Sequence, residues 1–381
     1  MNKKLLIAII SNNDDDIYCF RKELIDSLIV NNYRILLSCP YGEKFELMKD
    51  YDWIYDNPDI NRRGTNVIDD FKLFVHYFKL LKRHKPDILL TFTSKPNVYA
   101  NIAARLLNIA YIPNVTGLGS VLKKSVLFQK FFMFLYRIAF IKASCIMFQN
   151  IQNYELAKTN QVINSEYHII PGSGVAVERY PLQDYPNGGD GRNGYTIVFN
   201  YIGRILKDKG VNDFISAAKI IKTKYPNTEF NIIGFIEPSE QYYVNELKEL
   251  EEKKIVFYRG SQKDVRPWIK RSHAIIHPSV YGEGVSNVLL ENACSGRPII
   301  TTDNIGCKNT VINGITGLVY HGGNIEDLVD NIEIFISRLS NEQRKQMGLE
   351  GRAKVEKEFN RQIVVNAYLE EISKILYREK I

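Results

Sequence analysis

The sequence predicts an α/β protein built from two tandem, doubly wound parallel sheets. Three observations carry this. Its 381 residues suffice for two domains of roughly 150 to 200 residues each. Short apolar runs alternate with longer segments of helical period in two separate series, the arithmetic of repeated βαβ units. Between the series, Tyr185-Pro-Asn-Gly-Gly-Asp-Gly-Arg-Asn-Gly194 breaks all periodicity, and such a Gly/Asn/Pro run predicts an exposed linker.

In the first series, strands are expected at 5–10, 33–39, 87–91, 111–115 and 145–148, with helices near 20–30, 69–81 and 98–107; the pattern closes at 168–170. The run 5–10 follows two lysines but is too short for a secretory h-region and lacks a small-residue cleavage site, so it reads as the first strand. The second series places strands at 196–201, 229–233, 255–258, 274–277, 298–301 and 317–319, and helices near 211–224, 241–252, 265–270 and 285–295. The tail from 341 is helical, and its last part, 366–381, is long enough to pack back on the first domain. The expected division is therefore 1–180, a linker at 181–194, and 195–365.

Composition narrows the function. With 45% hydrophobic and 24% charged residues the chain is globular rather than disordered. A net charge of +7 suits phosphates, anionic lipid or nucleic acid, but no nucleic-acid module is recognisable. Cys19, Cys39, Cys145, Cys294 and Cys307 form no CxxC pair, which predicts reduced thiols, an intracellular protein and no structural zinc. No GxGxxG follows the first strand and no GxxxxGK[ST] occurs, which disfavours NAD and P-loop ATP. Asp14, Asp15 and Asp16 read as a helix cap rather than a metal site. No apolar run approaches the roughly 20 residues of a membrane span, so any bilayer contact is peripheral.

Two segments of the second half carry chemistry. In Tyr201-Ile-Gly-Arg-Ile-Leu-Lys-Asp-Lys-Gly210, Gly203 lets backbone N–H groups approach an anion while Arg204, Lys207 and Lys209 can neutralise a diphosphate. The alternative is a solvated basic turn. In His277-Pro-Ser-Val-Tyr-Gly-Glu-Gly-Val-Ser286, the N–H groups of Gly284, Val285 and Ser286 can point from a helix N-terminus at a phosphate. Glu283 and Glu291, eight residues apart, suit sugar or ribose hydroxyls, the alternative being a helix cap and a solvated face.

With Gly203-Arg204…Lys209-Gly210, Pro278-Ser279, Glu283…Glu291 and Gly314-x-x-Gly317 in that order, the second half resembles the nucleotide-sugar domain of glycosyltransferase family 4, retaining hexosyltransferases of GT-B fold. The resemblance implies two Rossmann-like domains facing across a cleft and a nucleoside diphosphate sugar, UDP-linked, as donor, with no cofactor and no catalytic metal. It assigns Arg204 and Lys209 to the diphosphate, Glu291 to the ribose, Glu283 to the donor sugar and the region of Arg259 and Gly260 to the base. It also implies that the acceptor hydroxyl attacks from the leaving-group face and passes its proton to the departing phosphate, with no enzymic nucleophile.

The segments 11–21, 92–97 and 116–119 are similar to those of enzymes that extend lipid-linked or surface oligosaccharides of bacteria, such as capsule and O-antigen. This implies a polyprenyl-diphosphate-linked or oligosaccharide acceptor, with Arg21 and Lys95 at its phosphate and Thr116 and Gly117 beside it. Relatives carry a histidine or an acid near Thr116, so no such role transfers, and a plain glycine turn is the alternative. Soluble acceptors, or a degenerate donor-binding protein, are the competing functions. From 121 to 142 a basic stripe of Lys123, Lys130 and Arg137 runs beside an apolar one of Leu127, Phe131, Phe134, Ile138 and Ile141, which suits an anionic membrane surface, a core helix or a dimer face. The expected location is the cytoplasmic face of the cell membrane.

Overall fold

The computed structural model describes residues 4–60, 64, 66–117, 125–191, 194–280, 282 and 284–378. They divide into two compact units, Met1–Gly174 with Arg361–Ile381, and Val175–Asn360.

In the first unit seven parallel strands, β1 (Leu6–Ile10), β2 (Arg34–Ser38), β3 (Trp53–Asp56), β4 (Ile88–Phe92), β5 (Ala110–Val115), β6 (Ile146–Phe148) and β7 (Tyr167–Ile169), take the order β3-β2-β1-β4-β5-β6-β7. Side chains alternate between faces. Leu6, Ala8 and Ile10 therefore join one core, and Ile7 and Ile9 the other, so β1 reads as an unbroken apolar run. Helices α3 (Val67–His84), α4 (Ser94–Leu106), α5 (Val126–Ala139) and α6 (Ile151–Thr159) cover the first face with Tyr77, Val98, Ala103, Met133 and Tyr154. On the second lie α2 (Lys22–Val30) and the last helix, α14 (Arg361–Arg378), through Leu24, Leu28, Tyr368 and Ile372. Arg361, almost buried, anchors that helix by donating to the carbonyls of Ser173, Gly174 and Cys19 and to Glu23. The helix expected at 20–30 is two, α1 (Asp14–Phe20) and α2, broken where Arg21 turns into the interior.

The second unit repeats the plan with six parallel strands, β8 (Ile197–Ile202), β9 (Thr228–Ile233), β10 (Phe257–Tyr258), β11 (Ala274–His277), β12 (Ile299–Thr302) and β13 (Gly317–Tyr320), ordered β10-β9-β8-β11-β12-β13. One face packs on α7 (Val211–Lys224), α8 (Tyr243–Glu252) and α12 (Ile325–Glu333), and the other on α9 (Arg266–Arg271), α10 (Asn287–Cys294), α11 (Ile305–Lys308) and α13 (Asn341–Glu358).

The domain boundaries differ from the expected ones. The first unit ends at Gly174 rather than at 180, and the chain returns to it at Arg361 rather than at 366. The described part of 181–194 is no free linker but a strap on the second unit. Buried Arg297 donates to the carbonyls of Gln183 and Asp184, and buried Arg344 to that of Gly189. Tyr185 donates to the carbonyl of His273, whose Nδ1 accepts from the Val198 N–H while its Nε2 meets the Asn187 carbonyl. A ring that accepts at Nδ1 must carry its proton on Nε2, and burial accordingly pushes the His273 pKa down to about 4. The carbonyls of the strap satisfy two buried cations, which local periodicity cannot reveal.

Candidate functional site

Strand succession reverses between β1 and β4 in the first sheet and between β8 and β11 in the second. At such switch points the loops leaving the carboxyl ends diverge to opposite faces and open a crevice.

In the second unit the crevice edge is set by close backbone approach. A Cβ on Gly234, just past β9, would lie 1.8 Å from the Gly203 carbonyl oxygen, just past β8. Only glycine fits there. Arg204 follows, its Nη1 2.9 Å from Oε1 of Glu237; the arginine side chain is 36% exposed and the glutamate 3%. A buried carboxylate thus fixes a cation that still reaches solvent. The turn 207–209 ends at Gly210 (φ 75°), where a Cβ would sit 2.0 Å from the Pro278 carbonyl oxygen. The Val280 N–H also donates to the Asp208 carbonyl. The turn bearing Lys207 and Lys209 is therefore pressed against the loop that leaves β11.

That loop leads into α10. Ser286, its N-cap, donates its backbone N–H to the Gly306 carbonyl and places Oγ 3.2 Å from His277 Nε2. Thr301 and Thr302 hold the carbonyls of His277 and Ser279. Gly284, Val285 and Ser286 are buried at this edge and Glu291 is half-buried one helical turn beyond. The structure thus gathers Gly203, Arg204, Lys209, Pro278, Ser279 and the start of α10; Glu283 lies outside the described residues. Arg259 does not reach out. Its side chain bonds Asn231, lies 3.6 Å from Glu229 and rests on Phe257 and Trp268. Glu237 is the residue that the sequence did not betray, since a glutamate in a loop is ordinarily solvated.

The acceptor-side candidates fare differently. Arg21 is 1% exposed, lies 4.2 Å over the Phe92 ring and donates to Ser173 Oγ. It is an interior cation, which corrects its reading as a phosphate ligand. Lys95 is held by Asp70 at 2.6 Å, with Tyr99 on the same carboxylate, so its charge is already matched. Thr116 and Gly117 are half-buried beyond β5; Leu118 and Gly119 lie outside the described residues. Two features were unforeseen. Thr93, at the end of β4, has φ 71°, a costly conformation for a β-branched residue. Beside it the buried amides of Asn97, Asn114 and Gln149 form a network with Ser173 and Tyr368. Asn13, not the acids, caps α1, and in place of a solvated cap Asp14 and Asp16 are buried in its first turn, Asp14 accepting from the N–H groups of Lys44 and Phe45 and Asp16 from Ser11 Oγ.

The described residues thus form two doubly wound sheets, the second with Arg204 fixed at its switch point. Comparison with known proteins gives the family. Residues 190–354 match the model of glycosyl transferases group 1 and residues 7–150 that of glycosyl transferase 4-like domains. The chain belongs to the family-4 glycosyltransferases of GT-B fold. It is 27% identical over 317 residues to the capsular polysaccharide biosynthesis glycosyltransferase CapM of Staphylococcus aureus, covering 80% of each chain. It is 28% identical over 284 residues to the UDP-Gal:alpha-D-GlcNAc-diphosphoundecaprenol alpha-1,3-galactosyltransferase of Escherichia coli, covering 70% of this chain and 71% of the other. Its fold matches Anabaena Alr3699/HepE in complex with UDP and glucose at a TM-score of 0.76 and 15% identity, over 97% of this chain and 100% of that one.

Proposed function

We propose that this glycosyltransferase is a retaining enzyme that moves a hexose or N-acetylhexosamine from a UDP-sugar to a polyprenyl-diphosphate-linked or growing polysaccharide acceptor, as in bacterial capsule or O-antigen assembly. The observation that carries it is Arg204 clamped by buried Glu237 beside the 207–210 turn. As the nucleoside diphosphate departs, negative charge grows on its phosphate oxygens, and fixed cations there stabilise the transition state more than the ground state. The helix-end N–H groups of Gly284 and Val285 add to this without a metal; that of Ser286, expected to join them, is given to the Gly306 carbonyl instead. Glu291 takes the ribose hydroxyls and Glu283 orients the sugar. The acceptor hydroxyl attacks on the face the phosphate leaves and gives its proton to that phosphate. A donor panel followed by NMR tests this directly: turnover of a UDP-sugar with the anomeric configuration kept supports it, and an inverted product contradicts it.

The membrane belongs to the same proposal. On α5, Val126, Leu127, Phe131 and Phe134 are exposed beside exposed Lys130 and Arg137, an apolar and cationic face suited to an anionic leaflet. Residues 121–124, with Lys123, lie outside the described residues. From 88 to 154 the chain holds seven Lys and Arg and no Asp or Glu, so that stretch alone accounts for the formal +7. Among the described residues no helix is long and apolar enough to cross a membrane, and a peripheral seat on the cytoplasmic face fits the proposed acceptor. Co-sedimentation with anionic vesicles, reversed by high salt and abolished in Phe131→Ser/Phe134→Ser, is the expected result; equal sedimentation without vesicles removes this part.

A further inference from the structure

Away from the donor edge, the first unit brings together three metal-ligating side chains that the sequence scatters. Cys145 precedes β6, His168 lies on β7 and Glu371 on α14. His168 Nε2 is 2.8 Å from Oε1 of Glu371. One ligand atom from each residue lies within 4.8 Å of the other two. Cys145 and Glu371 are buried at 0% and 2% exposure, while the His168 side chain is 38% exposed. A surface depression of about 730 Å³, lined by residues 163–168 and Lys374, reaches the cluster at His168.

Sulfur, imidazole nitrogen and one carboxylate oxygen form a donor set suited to zinc and its borderline neighbours. A hydrogen bond joins imidazole to carboxylate, with the thiol close to both. A divalent ion can occupy the space between the three. Tetrahedral zinc with bonds of about 2.0–2.3 Å keeps its ligand atoms about 3.3–3.8 Å apart. The His168–Glu371 pair would then open by roughly half an ångström and the widest pair close by roughly one. The charges also close: one thiolate and one carboxylate against a dication leave the buried cluster neutral. Lys374, 2.7 Å from Glu371 Oε1, is the competitor for this carboxylate, but it also pairs with exposed Glu370 at 2.9 Å and can keep that partner on leaving.

We propose that Cys145, His168 and Glu371 form a binding site for one zinc-class divalent ion, its fourth position open to water from the adjoining depression. On binding, the Cys145 thiol gives its proton to solvent and His168 ligates through Nε2 with its own proton on Nδ1. The ion ties α14 to the strand edge at β6 and β7. This does not depend on the donor or the acceptor.

The test uses the full chain, stripped with chelator and titrated with Co²⁺ as a coloured substitute. The expected result is one equivalent bound, a near-ultraviolet sulfur-to-cobalt charge-transfer band, bleaching by Zn²⁺ and a higher melting temperature with either ion. Cys145→Ser removes the band while circular dichroism stays native. His168→Gln, at a partly exposed position, weakens binding at least tenfold and serves alone if the cysteine variant fails to fold. Lys374→Ala tightens binding by removing the competing cation. Absence of the band at saturating Co²⁺, or its persistence in folded Cys145→Ser, overturns the proposal, as does cobalt binding that neither His168→Gln nor Lys374→Ala changes.

Discussion

The two units share a topology but treat positive charge at their switch points in opposite ways. At the edge of β8 and β11, Arg204 reaches solvent and is oriented by a buried carboxylate. At the edge of β1 and β4, Arg21 is covered by Phe92 and Lys95 is matched by Asp70. An arginine held open suits a ligand that arrives with its own negative charge; a buried one contributes to the fold. In the first unit Lys130 and Arg137 are exposed on α5, whereas the amides of Asn97, Asn114 and Gln149 beside β4 are buried and bonded within the unit.

Breaking that contrast should affect catalysis in one unit and stability in the other. Arg204→Ala is expected to lower kcat by about 10²–10³-fold with the fold retained, measured by steady-state donor turnover. Arg21→Ala should leave the donor KM unchanged and cost about 2–4 kcal/mol in urea unfolding, because Phe92 loses its cover and Asp16 its nearby cation. A raised donor KM with unchanged stability would erase the distinction. Glu237→Gln keeps the hydrogen bond but weakens the clamp, and a roughly tenfold fall in kcat is expected from less exact orientation of Arg204.

The strap gives a smaller effect with a defined sign. Folding lowers the His273 pKa from its usual 6.5 to about 4. Its stabilising contribution is therefore complete above pH 6.5 and is lost as pH falls toward 4, by about 1.4 kcal/mol per pH unit. Urea midpoints across that range should show the slope, reduced in His273→Gln; identical profiles would contradict the neutral, buried assignment.

Much of this was legible in the sequence, for reasons that differ by element. Residues buried on both faces of a sheet write continuous apolar runs, so β1, β4, β8 and β11 stand out. The half-buried edge strand β3, Trp53–Asp56, does not, because its apolar run is only three residues long and is closed on both sides by Asp52 and Asp56. The donor loops were legible since glycine and cations cluster within ten residues. Glu237, the cover of Arg21 by Phe92 and the grip of Arg297 on the strap were not, because each joins residues distant in sequence. The Cys145, His168 and Glu371 group escaped for the same reason.

Calorimetric titration of UDP into the wild-type chain and into Arg204→Ala tests the donor-site assignment most directly. Saturable binding to the wild type and at least a tenfold weaker isotherm for the folded variant are expected. Equal affinity in the two, with equal donor turnover, would mean that the diphosphate is held elsewhere.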